Sequence, residues 1–266
     1  MILSEKELLL DRECALAASS IGQGLTLLRK HNFTNHGYGT QAFFQLSIGI
    51  ERLIKIILIY DFRQQNNNNY PTNDYLRKFS HNISELYSHT MKIADSYNLQ
   101  GLYAELSNDN LHQQIIELLS DFAIKTRYFN LDTITGKKSE SQEPLKLWNT
   151  TINHEIIKRH YITNSVNEKF DELVDNLYSE NVFVLHHNDD GKPILNYNDL
   201  INEKKFLEVK QKYSMYYVYN VVRYLSCLLQ TIDKGLMPVA SEYFQIFRIT
   251  DKKYILSLKT WDIYKY

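Results

Sequence analysis

Arg159 and His160 stand side by side at the end of the run HEIIKRH, and no other neighbouring pair in the chain is better equipped for chemistry. Metal-free cleavage of a phosphodiester needs a base for the attacking hydroxyl, an acid for the leaving oxygen and a cation for the charge that builds on phosphorus. A histidine serves as acid or base, and an arginine as the clamp. Adjacent helical residues point about 100° apart. One helix is therefore expected to splay the two, so that a homodimer would have to supply the missing group. The competing reading is a solvated basic helix end, because Lys158, Arg159 and His160 would suit the negative end of a helix dipole.

A second constellation lies in the run AFFQLSIGIERLIKIILIY, residues 42–60, which is apolar almost all round yet carries Glu51, Arg52 and Lys55. An unpaired carboxylate in a bundle interior costs roughly several kcal/mol. Glu51 therefore needs a partner, and Lys55 one helical turn later is the nearest. His81 and Arg127, each beside an apolar stripe, are the other candidates. Convergence of Glu51, Lys55, His81 and Arg127 would make either an interhelical polar lock or an acid–base or nucleotide-binding site.

Other polar groups read more plainly. His186 and His187 precede Asp189 and Asp190, but neighbours in an extended segment face opposite ways, so one metal ion would not take both; a polar hairpin turn is expected. Residues 213–224 hold Tyr213, Tyr216, Tyr217, Tyr219 and Tyr224, which would stack bases or, more commonly, form core or dimer interface. There is no Gly-rich phosphate loop, paired-cysteine motif or nucleophile elbow. Neither a cofactor nor a metal is expected.

The elements that must position these groups are mostly helical. Ser4 with Glu7 forms a capping-box pattern opening a helix to about Arg29. A second helix is expected over about 41–62, then a low-complexity loop, QQNNNNYPTND, ending at Asp74 as a cap. A third is expected over 75–97 and a fourth after Asn108-Asp109. TGKKSESQEP is a linker by composition. It divides a bundle over residues 1–135 from a region over 145–266, with 136–144 between. The second region predicts helices over 145–161, 166–178 and 206–232, a hairpin around Asp190-Gly191, and another hairpin over EYFQIFRITDKKYILSLKTW. It is expected to dock on the bundle through the 206–232 helix. The fold class is thus mainly α: an up-and-down helical bundle with added helices and small β-hairpin elements in the C-terminal half.

Composition narrows the function. The 266 residues carry 30 basic and 31 acidic side chains, 44% apolar residues and four prolines. A formal net charge of −1 argues against a surface that binds nucleic acid or anionic membrane all over. The three charges of the 42–60 run argue against a membrane span. The first residues do not form a signal peptide, and Cys14 and Cys227 read as reduced core thiols. A cytoplasmic protein without membrane contact is expected.

QLSIGIERLIKIILIY, LRKFSHNISELY and TRYFNLD together resemble successive helices of the HEPN superfamily (higher eukaryotes and prokaryotes nucleotide-binding), over roughly residues 1–135. The resemblance implies a small up-and-down bundle. It also implies a place in a bacterial toxin–antitoxin, phage-defence or stress system, with RNA as substrate or ligand, a cognate antitoxin or other partner protein, and homodimerisation. Many members are metal-independent endoribonucleases; others are non-catalytic interaction or scaffold modules. The family nucleases place four to six residues between an Arg and a His at the start of a late helix, and neither Arg77 nor Arg159 has that spacing. Arg77 reaches His81 with three residues between, and Arg159 is followed at once by His160. Both readings therefore stay open: an RNA-binding or RNA-cleaving protein, and a protein-interaction module without the nuclease motif.

Overall fold

A computed structural model describes residues 4–35, 37–137, 141–162, 186–233 and 239–262. Among these residues the fold is mainly α-helical with one small β element. Helix α1, Glu5–Lys30, opens on the capping box. The Ser4 side chain accepts from the Glu7 amide, and the Ser4 amide donates to the Glu7 carboxylate at 2.7 Å. Helix α2 spans Gly37–Gln65, longer at both ends than the apolar pattern alone predicts.

α1 and α2 pack antiparallel at very close range. Glu13 pairs with Arg52, and a Cβ on Gly49 would lie 2.7 Å from Ile21 and 3.1 Å from the Ala17 carbonyl. A Cβ on Gly24 would lie 2.5 Å from Leu46. Contacts at falling positions on α1 thus meet rising positions on α2, and hydrogen at these two glycines is what lets the backbones approach.

The third helix differs from expectation. It is broken into α3, Asn73–Arg77, and α4, Ile83–Ser96, and Thr72 rather than Asp74 precedes α3. The break has a local cause. Ser80 takes a left-handed backbone (φ +48°), and Asn82 caps α4 by accepting from the Glu85 amide at 3.1 Å. Ser120 locks the corner, donating to Asn82 at 3.1 Å and accepting from the Ser84 amide at 3.2 Å. The chain returns along α2 from Phe62, which meets Tyr75, to Glu51, which meets His81.

After α5, Ala104–Ser107, helix α6 spans Asn110–Asp121 with Asp109 as its cap. A π-helical turn, Phe122–Thr126, continues it, and α7 is Phe129–Ile134. The expected 145–161 helix is present as α8, Pro144–Leu147, a second π turn, Trp148–Asn153, and α9, His154–His160. Its buried positions, Leu145, Trp148, Asn149, Ile152, Asn153 and Ile156, fall on one face. The helix expected over 166–178 lies outside the described residues.

Strands β1, His186–His187, and β2, Pro193–Ile194, pair antiparallel around Gly191, whose φ is +75°. Helix α10, Tyr197–Ile232, is the longest described element. Met215, Val218, Val221, Val222, Leu225 and Leu228 are fully buried in one core with Ile21, Phe43 and Ile54, so both halves of the chain share a single interior.

The second expected hairpin is not formed. Residues 245–248 make a 3₁₀ turn, α11 is Val239–Glu242 and α12 is Lys252–Ser257. Asp251, in the middle of the run expected to turn, caps α12, accepting from Lys253 at 2.8 Å and Tyr254 at 3.2 Å. The same Asp chemistry serves a turn or a helix start. Burial of Phe244, Phe247, Ile255 and Trp261 against α10 decides for the helix.

Candidate functional sites

Arg159 and His160 do meet, within one chain. The Tyr217 hydroxyl on α10 lies 2.9 Å from His160 Nε2 and 3.4 Å from Arg159 Nη1. The splay expected of adjacent helical residues is overcome because His160 is the last residue of α9 and a third side chain, 57 positions on, reaches between the two. The consistent proton order has Arg159 donating to the Tyr217 oxygen and Tyr217 donating to His160 Nε2.

The surroundings tune this group. His160 stacks flat on Tyr213, ring centres 3.6 Å apart, and Lys252 lies 5.6 Å from the Tyr213 ring. Burial, with the charges of Lys252 and Arg159, pushes the His160 pKa down to about 4, so its ring is neutral at pH 7. Burial also raises the Tyr217 phenol, against the opposing pull of Arg159.

Arg159 is tied to carboxylates as well. It donates to both oxygens of Asp109 at 3.0 and 2.8 Å, and its Nε donates to Glu155 at 2.7 Å. The Asp109 hydrogen bonds raise its pKa despite burial. Burial pushes the Asp109 carboxyl up, but Arg159 and the Leu111 amide outweigh it and hold the group below its ordinary value. Beneath lies His112, buried, its ring 5.1 Å from that of Tyr217 and 3.6 Å from an Asp109 oxygen. That distance is too long for a hydrogen bond. Burial lowers the His112 pKa to about 4.

The second constellation is partly assembled. Lys55 Nζ donates to Glu51 Oε1 at 2.7 Å, and His81 Nδ1 lies 3.0 and 3.1 Å from the two Glu51 oxygens. Glu51 is 13% exposed and His81 67%, so the carboxylate is held at the edge of the interior. Arg127 is neither hydrogen-bonded nor ion-paired to any of the three. Its guanidinium lies 5.8 Å from the Phe44 ring, and its Nε is buried with no hydrogen-bond partner. All four residues nevertheless line one open cleft of about 460 Å³ between α1, α2 and α3.

His186 and His187 sit on the exposed hairpin, and among the described residues no three His, Cys, Asp or Glu side chains are placed to hold a metal ion. The hairpin's acids turn inward instead. Asp189 meets His31 Nε2 at 3.0 Å, and Asp190 accepts from Asn149 at 2.8 Å. In the tyrosine run, Tyr217, Tyr219 and Tyr224 are buried. Tyr219 donates to the Ile249 carbonyl, and the Tyr224 hydroxyl lies 3.1 Å from that of Thr90.

Sequence reasoning missed Tyr217, Asp109 and His112 as members of the Arg159 group. The i,i+4 spacing of Glu155 and Arg159 was legible; Asp109 signalled only a helix start. Compared with protein-family models, curated proteins and solved structures, the chain matches none. No helix among the described residues is long and apolar enough to cross a membrane.

Proposed function

We propose that this chain is a HEPN-like, cytoplasmic protein of a bacterial defence, toxin–antitoxin or stress system that acts on RNA, with Arg159, His160 and Tyr217 as the group that handles the phosphodiester. The observation that carries the reading is the meeting of Arg159 and His160 on one hydroxyl. A neutral His160 is a proton acceptor at neutral pH. Tyr217 then passes its proton to His160 as it takes one from a ribose 2′-hydroxyl. The 2′-oxygen bonds to phosphorus as the bond to the 5′-oxygen breaks. The proton held on His160 returns through Tyr217 to that leaving oxygen, and Arg159 faces the phosphorane charge. The test is RNA integrity after induced expression of the intact protein, of His160→Ala and of Tyr217→Phe. Cleavage by the intact protein that both variants lose supports the site. Cleavage that survives both removes it.

A second reading, an interaction module with a cognate partner or a second copy, is favoured by a separate observation. Ile124, Tyr128, Leu131 and Ile134 follow one another at near-helical spacing, and all are exposed, Ile134 to 81%. Exposed apolar rows of this kind mark contact surfaces. No RNA cleavage by the intact protein, with a stable complex lost on Leu131→Asp, would favour this reading over the first.

A further inference from the structure

The cleft between α1, α2 and α3 is independent of the Arg159 group, and its chemistry is lopsided. Its charged lining holds three cations, Arg52, Lys55 and Arg127, against two carboxylates, Glu13 and Glu51. Two of the cations are spent: Arg52 on Glu13 and Lys55 on Glu51. Beyond these two pairs one arginine is left over, and it is Arg127. Among the described residues Arg127 has no carboxylate partner, and its Nε is buried with no hydrogen-bond acceptor. A buried donor without a partner costs roughly 1–3 kcal/mol, more when charged. That nitrogen is closed to solvent, so it is the charge of the guanidinium, with no carboxylate paired to it, that an anion entering the cleft would meet.

The walls specify the rest of the ligand. Ile48, Ile56 and Ile59 of α2, with Leu76 of α3, face the space, and none of the lining residues is Phe, Tyr or Trp. A nucleobase would want a ring to stack on; a saturated chain does not. The volume, about 460 Å³, is that of a small-molecule site. Glu13 and Glu51 would repel a dianion, whereas a single negative charge balances the excess.

We propose that this cleft binds a small aliphatic carboxylate, its carboxylate on Arg127 and its chain along Ile48, Ile59 and Leu76. The site takes a monoanion with a saturated body and rejects both the amine of the same body and a nucleoside phosphate.

Methyl NMR on the full-length chain tests this, with octanoate as the probe and octylamine, octanol and adenosine monophosphate as comparators. Octanoate is expected to shift the Ile48 and Ile59 methyl resonances saturably. Arg127→Gln should weaken it about tenfold, corresponding to about 1.4 kcal/mol. Leu76→Ala, which leaves the charge in place, should weaken it by a smaller factor, about threefold, and unchanged core methyls confirm the fold of both variants. Octylamine or octanol binding as tightly as octanoate would overturn the role of Arg127. Adenosine monophosphate displacing octanoate at lower concentration would overturn the aliphatic assignment. Absence of saturable octanoate shifts in the intact, folded chain would overturn the site itself.

Discussion

The cleft cluster and the Arg159 cluster are built on opposite plans. In the first, Glu51 and Lys55 belong to one helix turn, and His81 joins them from a corner that is mostly open to water. In the second, Asp109, Arg159 and Tyr217 come from three elements separated by 50 and 58 positions, and they close over the buried His112. The first can lose a member and let water replace it. The second covers a ring that water does not reach: His112 is buried, while Arg159 and Asp109 above it are 31% and 24% exposed and hold each other by two hydrogen bonds. Buried polar networks are therefore stiff and costly to breach, whereas half-open ones are free to exchange partners. That freedom is what a ligand-binding cleft requires.

The two plans differ most clearly in how they respond to damage. The largest effect should come from their shared frame. Gly49→Val places methyl groups against Ile21 and the Ala17 carbonyl, where backbone must move, and should cost about 3 kcal/mol or more in urea unfolding. A smaller loss would mean that α1 and α2 slide freely and that neither cluster depends on their spacing.

Acid should come next and act on the buried cluster. His112 has a folded pKa of about 4 against an ordinary value of 6.5, so the unfolded chain binds the proton more readily. Stability therefore rises with pH across that window and falls on acidification from 6.5 towards 4, by about 3 kcal/mol for this group. Asp109, whose carboxyl is held low, contributes stability above its ordinary pKa and loses it at still lower pH. Urea midpoints between pH 7 and 4 for the intact chain and for His112→Phe measure the first contribution. A slope unchanged by the substitution would assign the acid sensitivity elsewhere.

Arg159→Met follows, at about 2 kcal/mol, for the hydrogen bonds lost to Asp109. Tyr217→Phe removes one hydroxyl and should cost about 1 kcal/mol. Its sharper readout is that His160 and Arg159 lose their common contact, visible as a shifted His160 ring resonance. The smallest effect belongs to the open cluster. His81→Ala breaks a pair that is largely exposed on the His side and should change stability by less than about 0.5 kcal/mol. A loss near that of Arg159→Met would erase the distinction between the two plans.

The same difference governs what could be read from the residues alone. α1, α2 and the Glu51–Lys55 pair are local facts of periodicity, capping and i,i+4 spacing, and they stand where the sequence places them. The break at Ser80 was written in the SHN run but masked by apolar residues on both sides that continue a helical stripe. The corner forms because Ser120, nearly forty residues on, supplies its hydrogen bonds. Tyr217 was one tyrosine among several. Only the packing of α10 across α6 and α9 singles it out, and no spacing rule carries that information. The C-terminal segment failed for a related reason. Its β-rich runs are short, and burial against Tyr219 and Trp261 overrode their local preference.

The π turn at Phe122–Thr126 amounts to a single residue inserted into the end of α6. Each residue advances an α-helix by about 100°, so everything downstream is rotated by that amount relative to a plain continuation. Arg127 is the first residue to feel it. Deleting one residue, for instance the half-exposed Ile124, would restore ordinary winding and swing Arg127 away from the cleft while leaving α1, α2 and α4 untouched. The charge of that cleft is therefore a matter of reading frame along a helix, and one codon's gain or loss is enough to switch it.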